Sequence, residues 1–356
     1  MTATRRMTIR EVAHAAGVSA QTVSRVLNNR PDVAPETYER VQRIIADTGY
    51  APNMLARSLI QGRSHSLGVV AFGLDYFGPS RILTGIEQQA ADMGYSISLN
   101  LLHDPATVDV AEVLSGLVGR QVDGIIWAIP EIGGNRAWSH EQSPNLHVPV
   151  TLVGSMASQT SLPSIGIDNR AIGRIATEHL IAGGARRVAI VTGPTGWWES
   201  QERLFGWIET LDAHGIGERD RYVVEGDWGA ESGELALERL LREFPDVDSI
   251  FASNDQMALG VLHGAHRTGR RVPDDLSVIG VDDIPESSHF WPSLTTVYQP
   301  LRDAGARAVE EIDRAIRRDA PGRAQAAQPP TVTLLQPRLV VRDSTRAPSE
   351  VPALRS

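Results

Sequence analysis

Apolar residues near the start of the chain recur at helical spacing in short runs. Ile9, Val12, Ala13 and Ala16 make one face of a predicted first helix, and Thr8 with Glu11 has capping-box spacing. Gly17 stands where a left-handed residue would end that helix. Ser19 then caps a second helix, with Val18 and Val23 at hydrophobic-staple positions. A third helix is predicted over about Pro35–Thr48, with Tyr38, Val41 and Ile45 sealing a three-helix core and Gly49 closing it. Two short helices around a glycine-containing turn make a helix-turn-helix, a motif that lays its second helix in the DNA major groove. "YAPN" then breaks the pattern, and "NMLARSL" offers one short helix before a polar linker.

From Leu67 the period changes. Near-continuous apolar runs recur as "SLGVVAF", "SISLNLL", "VDGIIWAI", "VPVTLVG", "SIGID", "RVAIVTG", "SIFASN" and "LSVIGVDD". Helix-length segments such as 81–94, 109–120, 170–183, 200–215, 230–243 and 256–269 lie between them. This alternation predicts an α/β body with parallel sheets covered on both faces. Eight strands fit either one barrel or two doubly wound lobes. The tail 344–356 lacks any such pattern and is expected to be disordered.

Charge sharpens the division. The net charge is −9 over 356 residues, yet residues 1–63 carry nine arginines against five acids. A basic N-terminal module on an acidic body fits a polyanion partner at one end only, or an arginine-rich surface without one. All 34 basic residues are Arg, and there is no Cys, so disulfides, thiolate metal sites and a cysteine nucleophile are excluded. "MTATRRMTIREV" has no apolar leader core and no run reaches membrane-spanning length, which makes a cytoplasmic protein the expectation. No metal-ligand cluster, nucleophile elbow or phosphate-cradling glycine loop stands out, so no cofactor, no metal and no enzyme activity are expected.

The second helix presents Ala20, Gln21, Thr22, Ser24 and Arg25 on one side while Val23, Val26 and Leu27 face inward. Gln can pair bidentately with adenine and Arg with guanine, and the methyls of Ala and Thr can meet thymine. Ser19, at a helix N-terminus, suits a phosphate. In the body, Trp127, Trp197, Trp198, Trp228 and Trp291 fall in or beside loops that follow strands, where ligands of doubly wound sheets bind. Trp207 sits mid-helix and reads as core. Phe72 and Tyr76, after the first strand, add possible walls. Aromatic faces with a few polar groups suit the apolar side and the hydroxyls of a sugar ring.

The chain resembles the lac repressor/galactose repressor family of bacterial transcription regulators. The resemblance rests on "TIREVAHAAGVSAQTVSRVLNN", "YAPNMLARSL", "VDGII", "IDNRAIGRIATEHLI", "RRVAIVTGP", "SNDQMALGVL", "VPDDLSVIGVDDIP" and "PSLTTVYQP", an ordered set spanning most of the length. It implies a helix-turn-helix headpiece over 1–52, a hinge helix and linker over 53–65, and a two-lobed core over 66–345 like that of periplasmic sugar-binding proteins. The lobes would take about 66–168 with 297–328, and 169–296 with 329–345, joined by three chain crossovers, leaving 346–356 as tail. A homodimer is implied, since two headpieces must meet two half-sites.

Carried over residue by residue, the resemblance makes Ala20, Gln21 and Arg25 base readers and Thr8, Ser19, Thr22, Ser24 and Asn28 phosphate contacts. Asn53 and Leu59 fall in the hinge, with Leu59 matching a leucine that wedges into the minor groove. Ala34 stands where the family has a Ser or Thr cap on phosphate, so that contact is not carried over. Arg203, Asn254 and Asp282 match residues that reach the effector. Phe72 replaces a small polar residue, and the lac-type aspartate after "PVTLV" is Gly154 here. The expected function is a sequence-specific repressor binding operator DNA and controlled by a small carbohydrate. A purine or phosphorylated corepressor is the alternative within the class, and a transporter's solute-binding protein is the alternative outside it.

Overall fold

The structure is a computed structural model, and it describes residues 7–27, 30–50, 63–130, 132, 147–154, 162–217, 219–318 and 331–347. Asn28, Asn53, Leu59, the expected hinge helix and the tail beyond residue 347 lie outside the described residues. The chain divides into two compact units, residues 1–64 and residues 65–356.

In the first unit, α1 (Ile9–Ala16), α2 (Ala20–Leu27) and α3 (Pro35–Thr48) pack Val12, Ala13, Ala16, Val23, Val26 and Val41 into one core. Local chemistry sets each boundary. The Thr8 backbone N–H donates to the Glu11 carboxylate at 2.7 Å and the Glu11 N–H donates to Thr8 Oγ1 at 3.3 Å, closing the capping box. Gly17 ends α1 at φ 63°, a conformation only glycine adopts without cost. Arg40 Nε donates to the Ala16 carbonyl at 3.0 Å, so α3 satisfies an orphan acceptor at the end of α1. Ala34 precedes α3 with no side-chain cap.

Among the described residues the second unit holds two six-stranded sheets. The first runs β11-β5-β4-β3-β1-β2, from β1 (Ser66–Phe72), β2 (Ser96–Leu102), β3 (Gly124–Ala128), β4 (Val150–Val153), β5 (Ser164–Ile167) and β11 (Val332–Leu335). The second runs β12-β10-β9-β8-β6-β7, from β6 (Val188–Thr192), β7 (Val223–Glu225), β8 (Ser249–Ala252), β9 (Ser277–Asp282), β10 (Thr295–Tyr298) and β12 (Arg338–Val340). All pairings are parallel except β10 with β12. Helices α4 (Phe77–Asp92), α5 (Val110–Gly119) and α10 (Leu301–Arg318) flank the first sheet. Helices α6 (Asn169–Ala182), α7 (Trp198–Ala213), α8 (Ala230–Glu243) and α9 (Asp255–Arg267) flank the second. Two doubly wound lobes, not a barrel, are therefore the answer to the eight-strand ambiguity.

The chain crosses between lobes three times, after β5, after β10 and after β11. Strand pairing shifts two expected lobe boundaries. β10 ends at Tyr298 within the second sheet, so that crossover follows 298 and not 296. β11 pairs with β5 from Val332↔Ser164 to Leu335↔Ile167, so 331–335 belong to the first lobe instead of the second. The tail expectation is also corrected at its start. Ser344 and Thr345 are buried, Ser344 Oγ donates to the Val278 carbonyl at 2.6 Å, and Arg346 donates to Asp274.

Helix α7 is seated by a close backbone crossing. A Cβ on Gly173 of α6 would lie 2.1 Å from the Arg203 carbonyl, and one on Gly206 of α7 would lie 2.1 Å from the Arg170 carbonyl. Only paired glycines let the two helix backbones meet there, and this contact fixes the height of α7 over the sheet.

Candidate functional sites

The exposed face of α2 is built by its own caps. Ser19 Oγ accepts the Thr22 N–H at 3.0 Å and lies 2.9 Å from Thr22 Oγ1, while Val23 and Val26 are sealed in the core. Gln21 and Arg25 are exposed, one turn apart, and Ala20, Thr22 and Ser24 are half-buried between them. Thr8 is engaged in its capping box. Arg25 faces Asp32 at 3.6 Å, with both side chains about half exposed (49% and 57%). Such an exposed pair holds only about 0–1 kcal/mol, so a guanine edge can displace Asp32 at little cost.

In the second unit a cleft opens between the two sheets, enclosing about 920 Å³ including the solvent space at its mouth. It lies at the carboxyl ends of strands from both lobes. Six of the residues singled out from the sequence line it: Tyr76, Trp197, Arg203, Trp228, Asn254 and Asp282.

Arg203 is its hub, 5% exposed on α7. Its Nε donates to Asn169 Oδ1 at 2.8 Å, Nη1 to the Ser253 carbonyl at 2.5 Å and Nη2 to Gln299 Oε1 at 3.3 Å. Gln299 passes the contact on, donating through Nε2 to Asp282 Oδ1 at 2.5 Å. Gln299 sits on the second crossover, so this chain joins three segments that meet where the lobes do. Burial draws the guanidinium down from its ordinary value against the opposing pull of Asp282 and Glu199. Burial pushes the Asp282 carboxyl up to about 6, against Arg203 and the Gln299 hydrogen bond.

Asp282 and Asp283 leave β9 with φ of 113° and 57°. Two such residues in succession cost on the order of 1–3 kcal/mol each and persist because their side chains are pinned. Asp283 meets Arg342 at 2.5 Å, and Asp282 is held by Gln299. Asp255, wholly buried, accepts Thr296 Oγ1 at 2.6 Å and the Ile284 N–H at 2.9 Å, and burial raises its carboxyl well above the usual range. Asp255 and Asp283 thus serve the packing of this turn. Asn254 caps α9, accepting the Met257 N–H at 2.8 Å, and donates to the Trp228 carbonyl at 2.9 Å.

The aromatic wall centres on Trp197, whose ring lies 5.6 Å from Tyr76 and 5.8 Å from Trp228, both edge-on. Trp228 presses on Gly193, where a Cβ would come within 2.1 Å of the indole. Four residues expected at the site are elsewhere. Trp127 is 3% exposed among Val70, Leu114 and Leu117, because β3 turns it toward the helix layer and away from the cleft. Trp198, one position after Trp197, is turned inward by the first turn of α7 and is 8% exposed. Phe72 stands 6.0 Å behind Trp197 without lining the cleft. Trp291 projects into solvent at 94% exposure. Trp207 is fully buried, as its mid-helix position implies. The sequence reading missed Asn169, Glu199 and Gln299. Asn169 and Gln299 carried a signal, since they lie inside the quoted "IDNRAIGRIATEHLI" and "PSLTTVYQP".

Among the described residues no helix is long and apolar enough to cross a membrane. A model described as bacterial regulatory proteins, lacI family, matches residues 8–53, and a periplasmic binding protein-like domain matches residues 177–345. Catabolite control protein A of Priestia megaterium is 35% identical over 315 residues, covering 88% of this chain and 93% of that protein. The lactose operon repressor of Escherichia coli (strain K12) is 32% identical over 309 residues, covering 86% and 84%. The lac repressor dimer bound to operator and the anti-inducer ONPF matches with a TM-score of 0.81 at 30% identity, covering 96% of this chain and 100% of that one. A complex of the transcriptional regulator CelR with cellobiose matches at 0.69 and 30% identity, covering 95% and 100%.

Proposed function

This chain belongs to the lacI family of bacterial transcription regulators, and from that premise we propose that it is a homodimeric cytoplasmic repressor released from its operator by a small carbohydrate. It is a DNA-binding regulator and not an enzyme. Operator bases are read by Gln21 and Arg25 with Ala20, and Thr8, Ser19, Thr22 and Ser24 position the helix on phosphate. The edge strand β2 leaves Leu99 and Leu101 exposed, an apolar strip suited to the second copy.

The observation that carries the effector reading is the cleft itself: an aromatic and aliphatic wall around one buried, multiply hydrogen-bonded arginine. Three of the five Arg203 N–H groups are taken by protein, leaving two for ligand hydroxyls. Asp282 accepts from a ligand hydroxyl pair. Arg203 and Asp282 belong to the second lobe and are joined by Gln299 on a crossover, so a ligand that engages them and also meets the first-lobe wall at Tyr76 changes what the lobes share. It can shift the DNA-binding equilibrium only by its differential affinity for the two lobe arrangements. The test is operator binding by the full-length dimer, followed by fluorescence anisotropy, with and without a panel of mono- and disaccharides. One sugar is expected to weaken operator binding and to raise the melting temperature. Operator affinity unchanged across the panel would sink the carbohydrate reading.

Asp282 gives this site a pH signature. Its carboxyl titrates near 6 in the fold and at 3.8 when unperturbed. Above about pH 6 it is ionised and accepts hydroxyl donors, so sugar affinity is complete there and falls by up to about tenfold per pH unit as acidification passes through 6. The contribution to folding runs the other way: the buried charge costs stability above 6, and that cost is relieved between 6 and 3.8. Isothermal titration at pH 7.5 and 5.5 checks the first effect, and in Asp282→Asn the pH dependence should flatten.

A further inference from the structure

Gly154 closes β4 in the first lobe with φ 80°, and it lines the cleft without a side chain. A Cβ built there would lie 3.5 Å from Glu199 Oε1. Glu199 comes from the opposite lobe, in the first turn of α7, where exposed backbone N–H groups and the helix dipole favour an anion. Glu199 is half-buried, with Oε2 enclosed, and its Oε1 faces the wall that Gly154 leaves without a side chain. Among the described residues lining the cleft, Glu199, Asp282 and Arg203 carry charge, and Arg203 has already committed three donors. Two carboxylates against one engaged cation suit hydroxyl donors and repel a phosphate or a carboxylate.

We propose that Glu199 is a specificity-determining residue that reads ligand hydroxyls from the α7 side, opposite the stretch of wall that Gly154 leaves without a side chain on the β4 side. The effector is then an uncharged sugar, and its phosphorylated and carboxylated derivatives are rejected. This rests on the carbohydrate reading of the same cleft.

The experiment compares glucose, galactose, cellobiose and lactose with glucose 6-phosphate, glucuronate and galacturonate on the full-length protein, by isothermal titration. Wild type should bind a neutral sugar and none of the anions. Glu199→Gln, with its ligand-free melting temperature as the folding control, should bind that sugar about tenfold more weakly, the size of one charge-assisted hydrogen bond. Adding Gly154→Asp to Glu199→Gln should recover part of the loss, which a purely structural role for Glu199 would not produce. An anionic sugar binding wild type more tightly than its neutral counterpart overturns the assignment while leaving the carbohydrate reading intact. So does a Glu199→Gln protein that binds the neutral sugar as tightly as wild type. If none of the seven binds, the carbohydrate reading itself fails and this inference with it. Should Glu199→Gln not fold, the comparison of neutral and anionic sugars on wild type still decides.

Discussion

Arg203→Lys should remove sugar binding while leaving the protein able to hold its operator. Lysine keeps the positive charge but replaces a rigid fork of five donors with one compact ammonium. It cannot meet Asn169, the Ser253 carbonyl and Gln299 together, so the relay to Asp282 is broken on the protein side. Two charge-assisted hydrogen bonds to ligand, at about 1.5–3 kcal/mol each, correspond to a loss of more than about a hundredfold in sugar affinity. Removing the charge altogether, as in Arg203→Met, is worse for the fold. It leaves three buried acceptors and the Asp282 carboxylate without their cation, a cost on the order of 3–5 kcal/mol. Lysine is therefore the informative variant. Anisotropy with operator and titration with sugar separate the two activities, and an Arg203→Lys dimer that still releases operator at the wild-type sugar concentration would show that the hub does not hold the ligand.

The second large effect lies on α2. Arg25→Ala should lower operator affinity by about ten- to a hundredfold, the worth of one bidentate base contact, and should relax discrimination at one base pair. Affinity for random DNA should fall much less, because non-specific binding rests on phosphate charge. The Asp32 pair does not blunt this result, since both partners are half exposed and their mutual attraction is small. Competition of labelled operator against random duplex at fixed salt gives the ratio. A variant that discriminates as well as wild type would transfer base reading to Gln21 and its neighbours.

Much of this molecule was legible because the relevant physics is local. The bounds of α1 and α3 follow from Thr8, Glu11, Gly17, Pro35 and Gly49, residues that act within one turn of themselves. Eight strands, β1 to β6 with β8 and β9, announced themselves as apolar runs. Four did not: β7 and β12 span only three residues each, β10 is a four-residue strand that begins with two threonines, and β11 is an edge strand with an exposed face. The tryptophans mark the limit. A position after a strand places a residue at one end of a sheet but not on one side of it. Trp197 and Trp228 come to the cleft, Trp127 and Trp198 turn inward, and Trp291 stands in solvent.

What the sequence by itself determined, then, is the kind of protein: a capped helix-turn-helix with Gln21 and Arg25 outward, a doubly wound body, and Arg203, Asn254 and Asp282 among its effector candidates. The helix-turn-helix, its outward face and the doubly wound body follow from periodicity and caps, which operate over a few residues, while Arg203, Asn254 and Asp282 come from the family resemblance. Tertiary structure decided which candidates share a cavity, that Gln299 couples Arg203 to Asp282, and that Glu199 faces the gap at Gly154. Those pairings join residues 17 to 96 positions apart, across crossovers and helix contacts such as Gly173 on Arg203, and no local pattern encodes them.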